Sequence, residues 1–91
     1  MSPDAIPVIP RGVRMHHDRV RDRWVLLAPE RTITLDAIGR AILSEIDGDR
    51  SFGSIVKTLA DKYAAPAEDI ARDAGEFIAT LADRRILDVT P

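Results

Sequence analysis

The residues best suited to chemistry in this chain are two adjacent histidines, His16 and His17, because imidazole is a common metal ligand. They lie in a segment with the composition of a strand, where neighbouring side chains point to opposite faces and cannot easily hold one ion together. The chain has no third histidine and no cysteine to complete a ligand set. We therefore expect no metal site, with both histidines at the surface or half-buried.

The other reactive side chains have structural explanations. Ser44, Ser51 and Ser54 fall on or beside predicted helices, where capping or solvation accounts for a hydroxyl group. Paired carboxylates such as Glu68 and Asp69 suit the positive end of a helix dipole. The five glycines are dispersed and form no phosphate-binding loop. We expect a binding protein rather than an enzyme, with no catalytic residue and no cofactor.

The composition is typical of a small intracellular domain. The 91 residues are 45% hydrophobic and 31% charged, which is enough apolar material for one core. The absence of cysteine, of a signal-peptide pattern and of an apolar run near the roughly 20 residues that span a bilayer predicts a cytoplasmic protein without membrane association. The net charge of −2 does not indicate nucleic acid as a partner, although arginines crowd residues 11–31 and give that segment a local basic character.

Two regions precede the helices. Prolines recur through residues 1–12, which end on Gly12, and this spacing predicts a flexible, extended N-terminal arm. We expect residues 13–89 to form one domain. It begins with β-forming segments at residues 13–20, 23–28 and 32–35, a pattern that indicates a three-stranded antiparallel meander. The middle segment is apolar on both faces, and the short third strand is expected at an edge.

Helical spacing of apolar residues follows the meander. Asp36 is a suitable N-cap for a first helix that ends near Gly48, Ser51 for a second, and Pro66 suits the first turn of a third. The predicted inward-facing residues are Ile38, Ala41, Ile42 and Ile46 on the first helix, Ile55, Val56, Leu59, Ala60 and Tyr63 on the second, and Ile70, Ala74, Phe77, Ile78 and Leu81 on the third. The sequence thus predicts an α+β, winged-helix-like fold, in which a three-stranded meander precedes three α-helices.

A helix-turn-helix raises the alternative of a winged-helix regulator that binds DNA. The exposed charged positions of the third helix are Glu68, Asp69, Arg72, Asp73 and Glu76, a mostly acidic set that phosphates would repel. The open side of the third strand is a better candidate surface, because its unpaired N–H and C=O groups can receive another strand. Spacing alone leaves the apolar residues of the third helix open to two interpretations, as core or as the other wall of a groove.

An ordered set of short motifs runs through residues 11–87. It consists of Arg11-Gly12-Val13-Arg14, Arg23-Trp24-Val25-Leu26-Leu27-Ala28-Pro29-Glu30-Arg31, Leu35-Asp36, Asp47-Gly48, Ile55-Val56-x-x-Leu59, Tyr63-x-x-Pro66-x-Glu68-x-Ile70 and Leu81-x-x-Arg84-x-Ile86-Leu87. In this set the chain resembles the PqqD family of pyrroloquinoline-quinone (PQQ) biosynthesis. Gly39 and Gly75 depart from the family pattern, each at a cost of up to about 1 kcal/mol relative to alanine in a helix.

The resemblance implies a peptide chaperone, a recognition element for ribosomally made, post-translationally modified peptides (RiPPs). Such proteins take the precursor peptide PqqA as an added strand and present it to the radical-SAM enzyme PqqE, and related domains serve other peptide-modification pathways. The peptide-binding positions that the resemblance implies are Arg31, Thr32, Ile33, Thr34 and Leu35 on the third strand and Ile70, Asp73, Ala74, Phe77 and Ile78 on the third helix. Direct binding of the quinone by stacking on Trp24 or Tyr63 is a further alternative. We expect a monomer in function, in which the arm and the short edge strand also allow two copies to exchange strands.

Overall fold

A computed structural model describes residues 1–91 and contains five strands and three helices. In chain order they are β1 (Ile6–Val8), β2 (Arg14–Asp18), β3 (Arg23–Ala28), β4 (Arg31–Leu35), α1 (Ala37–Ser44), α2 (Phe52–Tyr63), α3 (Ala67–Asp83) and β5 (Asp88–Thr90). Strands β2, β3 and β4 form an antiparallel sheet with β3 in the middle, and β1 and β5 form a separate pair. The predicted α+β fold, a three-stranded meander followed by three helices, is confirmed.

The meander has an apolar middle strand and two edges. Leu26 of β3 is fully buried, and the register pairs it with Met15 of β2 on one side and Ile33 of β4 on the other. A two-residue turn joins β3 to β4, so that Ala28 pairs with Arg31. Because cross-strand partners share a face, the side of the sheet that carries Leu26 is the side packed on the core.

In place of the predicted free arm, the N-terminal segment is docked on the domain. β1 pairs antiparallel with β5, and Ala5 and Pro7 are buried. The carbonyl of Ala5 accepts a hydrogen bond from the N–H of Phe52 at 2.7 Å, at the start of α2. The prediction missed β1 because a three-residue strand that contains proline carries no periodic signal, and its partner lies at the opposite end of the chain.

Capping residues set the starts of α1 and α2 as predicted. An Asp36 carboxylate oxygen accepts a hydrogen bond from the N–H of Gly39 at 2.7 Å, and the Ser51 hydroxyl accepts one from the N–H of Ser54 at 3.2 Å. Pro66 is the residue immediately before α3, whose first turn is acidic. The Asp36 and Ser51 side chains thus satisfy N–H groups that a helix start otherwise leaves unpaired.

The first helix ends at Ser44, earlier than predicted. The carboxylate of Asp47 accepts hydrogen bonds from the N–H groups of Asp49 and Arg50, each at 2.9 Å, so this segment forms a turn instead of continuing the helix. Gly48 has a φ of +82° within that turn, a conformation that glycine adopts without steric cost.

Polar contacts connect α1 to α2 through Glu45. Its carboxylate accepts a hydrogen bond from Arg50 at 3.1 Å and lies 3.4 Å from the Lys62 ammonium. These two contacts, led by the hydrogen bond from Arg50, hold the pKa of Glu45 below its usual value. Arg50 also donates to the Thr58 hydroxyl of α2. These contacts link the end of α1 to α2 across the loop that joins the two helices.

The core is built from aliphatic residues of the sheet and all three helices. Its buried members are Leu26, Leu35, Ile42, Leu43, Ile46, Phe52, Ile55, Val56, Leu59, Ala74, Ile78, Leu81, Ile86 and Leu87. The prediction that Ile38 and Tyr63 face inward is wrong, because they are 66% and 56% exposed. Each occupies the first or last turn of its helix, where the apolar stripe leaves the packed region. None of the three helices has the length and apolar composition of a membrane-spanning segment.

Candidate functional site

β4 is an edge strand of the three-stranded sheet, so one side of its backbone has no partner strand. Antiparallel pairs alternate between hydrogen-bonded and non-bonded positions, and a two-residue turn is closed by a bonded pair. Since Ala28 and Arg31 close this turn, Arg31 and Ile33 direct their N–H and C=O groups toward β3. Thr32 and Thr34 direct theirs to the open side. Thr34 therefore donates its N–H to the open side, whereas Ile33 donates toward β3.

The side chains of β4 alternate between the two faces of the sheet. Ile33 is half-buried and Leu35 is 7% exposed, both on the core side. Thr32 and Thr34 are exposed and lie on the opposite face, and Arg31 is exposed at the turn. Of the five strand positions that the resemblance implies, Leu35 is therefore part of the core.

The implied positions on α3 divide in the same way. Ala74 and Ile78 are 1% and 0% exposed and belong to the core. Ile70 and Phe77 are half-buried against it, and Asp73 is exposed. The implied positions on α3 that remain accessible are therefore Ile70, Asp73 and Phe77.

An apolar groove with a cavity volume of about 350 Å³ lies where the three helices meet. Its lining residues are Ala37, Ile38, Ala41, Ile42, Leu59, Tyr63, Ile70, Asp73 and Ala74. Three of these are implied positions on α3, whereas the contributions of α1 and α2 are not implied by the resemblance. The exposure of Ile38 and Tyr63 is explained here, because they form part of the groove wall rather than of the core.

The start of α1 connects β4 to α3. Asp36 follows β4 directly, and the buried Gly39 lies under the ring of Phe77. A Cβ atom added at Gly39 would be 3.2 Å from two ring carbons of Phe77 and 3.2 Å from the Asp36 carboxylate. Glycine at this position therefore permits the close approach of Phe77 of α3 to the start of α1, which directly follows β4.

An aromatic stack lies beside this region. The rings of His17 and Trp24 are stacked with centroids 5.0 Å apart, and the Arg40 guanidinium lies 4.0 Å from the Trp24 ring centroid. His17 also contacts the Asp22 carboxylate at 3.2 Å, while His16 is exposed on the other face of β2. The two histidines are thus separated by the strand, as predicted, and no three His, Asp or Glu side chains are grouped so as to hold a metal ion.

The exposed face of α3 is acidic, and its arginine is already paired. Arg72 lies 3.5 Å from the carboxylate of Asp69 and 3.4 Å from that of Asp73. Glu68 and Glu76 add further negative charge to the exposed face. A helix with this surface is a poor reader of DNA, whose phosphates it would repel.

Comparisons with known proteins agree on one family. The family model for coenzyme PQQ synthesis protein D (PqqD) matches residues 23–87. A protein of Xanthomonas oryzae named PqqA binding protein is 46% identical over 84 residues, which cover 92% of this chain and 91% of that protein.

Two solved structures are similar in fold. The PqqD truncation of Methylobacterium extorquens PqqCD, a functional and stand-alone RiPP recognition element, has a TM-score of 0.77 and 40% identity over 97% of this chain and 99% of that one. TbiB1 in complex with the TbiA(beta) leader peptide has a TM-score of 0.73 and 26% identity over 89% of this chain and 94% of that one.

Proposed function

Because this chain belongs to the PqqD family, we propose that it is a cytoplasmic peptide chaperone for PQQ biosynthesis. In this proposal it binds the ribosomal precursor peptide PqqA, without catalysing a reaction, and presents it to the radical-SAM enzyme PqqE. Two findings support the peptide ligand: a relative is named PqqA binding protein, and the similar domain TbiB1 was solved with a leader peptide.

The single observation that carries the mechanism is the open edge of β4. Thr32 and Thr34 direct their backbone groups outward, so an extended peptide can pair with them as a fourth strand of the sheet. Each added backbone hydrogen bond contributes roughly 0.5–1.5 kcal/mol. Backbone pairing tolerates many peptide sequences, and specificity must come from side chains.

Apolar surfaces beside β4 can supply that specificity. A guest strand alternates its side chains, and those on the core side face Ile33 and Phe77, which are half-buried and reachable. The groove of the three helices offers room for a large apolar side chain, with Asp73 as the charged group among its lining residues. We propose that guest residues flanking the paired segment enter this groove.

Proline substitution tests strand addition directly. Thr34→Pro removes an outward N–H, leaves the β3–β4 bonds in place and crowds the guest. We expect it to fold normally and to lose roughly 1–3 kcal/mol of PqqA affinity by isothermal titration, because a peptide carbonyl loses its donor. Ile33→Pro removes an inward N–H instead, and we expect circular dichroism to show damaged folding.

Two controls separate this effect from general damage. Thr34→Ala keeps the N–H and should bind PqqA nearly as tightly as the parent. His17→Pro acts on β2, the opposite edge of the same sheet, where the register also places an outward N–H. If the His17→Pro variant folds, its affinity for PqqA should equal that of the parent. A folded Thr34→Pro variant that binds as tightly as the parent would show that the guest lies elsewhere.

We do not propose either alternative function. For DNA binding, the surface of α3 has the wrong charge, as its ion pairs and exposed acids show. For direct quinone binding, Trp24 is engaged by His17 and Arg40, and Tyr63 is part of an apolar groove wall rather than of a cationic pocket.

A further inference from the structure

The outer face of the meander carries two apolar side chains, the buried Val25 and the half-buried Leu27, that lie outside the main core cluster. Val25 and Leu27 alternate with Leu26 along β3, so their side chains point away from the core. Val25 is only 4% exposed and Leu27 is half-buried, yet neither belongs to the core cluster or to the residues packed against it. A solvated sheet face normally carries polar residues at such positions.

Basic and hydroxyl side chains surround this centre. The register places Arg14 and Thr32 beside Leu27, and His16 and Thr34 beside Val25, all of them exposed. Arg23 lies on the same face, one alternation further along β3.

The arginines on this face lack partners. Arg14 and Arg23 form no ion pair, whereas Arg21, Arg50 and Arg72 each contact a carboxylate.

The carboxylate on the same face, that of Asp18, already has hydrogen-bonding and charged partners. Asp18 accepts hydrogen bonds from the N–H groups of Val20 and Arg21 and lies 3.5 Å from the Arg21 guanidinium. The hydrogen bond from the Arg21 backbone is the main cause that holds the pKa of Asp18 below its usual value. The face is therefore positively charged around an apolar centre, the arrangement of a protein interface with arginine among its anchors.

A guest strand on β4 would extend this same face. Every second side chain of the guest would project beside Thr32 and Thr34, continuous with Val25 and Leu27. A protein that docks on the outer face can thus contact the sheet and the bound peptide at once. The groove of the helices lies on the other face and stays free for the peptide's remaining side chains.

We propose that the outer face of the meander, centred on the half-buried Leu27 and rimmed by Arg14, His16 and Arg23, docks an acidic surface of the enzyme that modifies the bound peptide. This inference rests on the proposed function, because it takes the guest to be on β4. It assigns the peptide and the enzyme to different surfaces, so that one can be weakened without the other.

Charge reversal on the outer face tests the assignment. We would titrate PqqE into the parent protein and into Arg14→Glu/Arg23→Glu, each with PqqA bound. The double variant should bind PqqE at least about tenfold more weakly, since attraction becomes repulsion. Its affinity for PqqA should match the parent's. Arg14→Lys/Arg23→Lys, which keeps both charges, should recover most of the PqqE binding.

The matched control reverses two exposed bases elsewhere. Lys57 on α2 and Arg84 after α3 have no ion-pair partner, and Lys57→Glu/Arg84→Glu changes the net charge by the same amount. It should bind PqqE like the parent. The docking surface is overturned if both double variants bind PqqE equally more weakly than the parent, or if neither does. It is also overturned if the parent does not bind PqqE. A parent that binds no PqqA overturns the proposed function itself, and equal loss of PqqA and PqqE by the outer-face variant assigns the face to the peptide.

Discussion

Two glycines that look alike in the sequence have different surroundings in the fold. Gly39 and Gly75 both interrupt helices, and both are buried. A Cβ at Gly75 would meet the Phe52 ring at 3.6 Å, an ordinary contact, whereas a Cβ at Gly39 would be 3.2 Å from Phe77. By helix propensity alone both glycines are unfavourable, and only their packing contacts distinguish them. This part of the site could not be predicted from the sequence, because Gly39 and Phe77 are brought together by the tertiary fold.

This difference gives opposite expectations for one substitution. Gly39→Ala should destabilise the protein by roughly 1–3 kcal/mol, because Phe77 and the Asp36 cap must shift. It should also weaken PqqA binding, since Phe77 lies in the proposed site. Thermal unfolding and isothermal titration measure the two effects.

Gly75→Ala is the matched control on α3. We expect it to stabilise the protein by up to about 1 kcal/mol, the usual gain of alanine over glycine in a helix, without changing PqqA affinity. If both variants are stabilised equally, the contact between Gly39 and Phe77 does not constrain the fold.

At the scale of elements, local patterns were sufficient for the meander and for the helix starts. Alternation and turn residues located β3 and β4 within one residue, and Asp36 and Ser51 marked helix starts through their capping side chains. The pairing of β1 with β5 was missed because it depends on contacts between distant segments, for which three-residue strands give no local signal. The groove escaped prediction for the same reason, since it exists only once three helices are packed together.

The docked N-terminal segment makes a clear prediction for stability. Removing residues 1–8 deletes β1 and the carbonyls of Pro3 and Ala5, which accept hydrogen bonds from Gly53 and Phe52. At about 1 kcal/mol for each backbone hydrogen bond, the loss should be at least about 2 kcal/mol. Urea unfolding of the parent and of the shortened chain measures it.

PqqA affinity provides the control for this truncation, because β4 belongs to the other sheet and should bind as before once the shortened chain is folded. Unchanged stability would instead restore the flexible arm that the prolines predict.

At the scale of the whole molecule, the three-stranded sheet has two edge strands, β2 and β4, and β4 is the strand with which the peptide is proposed to pair. An unpaired edge can also accept a strand from another copy of the chain. We propose that the working form is a monomer and that strand exchange between copies competes with the peptide for β4.

Light scattering over a dilution series tests this proposal. We expect a monomer at low concentration that binds one PqqA, and any larger species at high concentration should shrink when PqqA is added. A dimer that persists on dilution and still binds one peptide per chain would contradict the competition for β4.

The stack of His17, Trp24 and Arg40 has a consequence for observing the protein at work. The chain contains one tryptophan, and it pairs in register with Leu35, the last residue of β4. Its ring is half-buried and is contacted by the His17 imidazole and the Arg40 guanidinium, so its surroundings differ from those of an exposed indole. Trp24 is therefore a natural optical probe one strand away from the proposed guest, and we expect its fluorescence to change when the peptide binds, without a label.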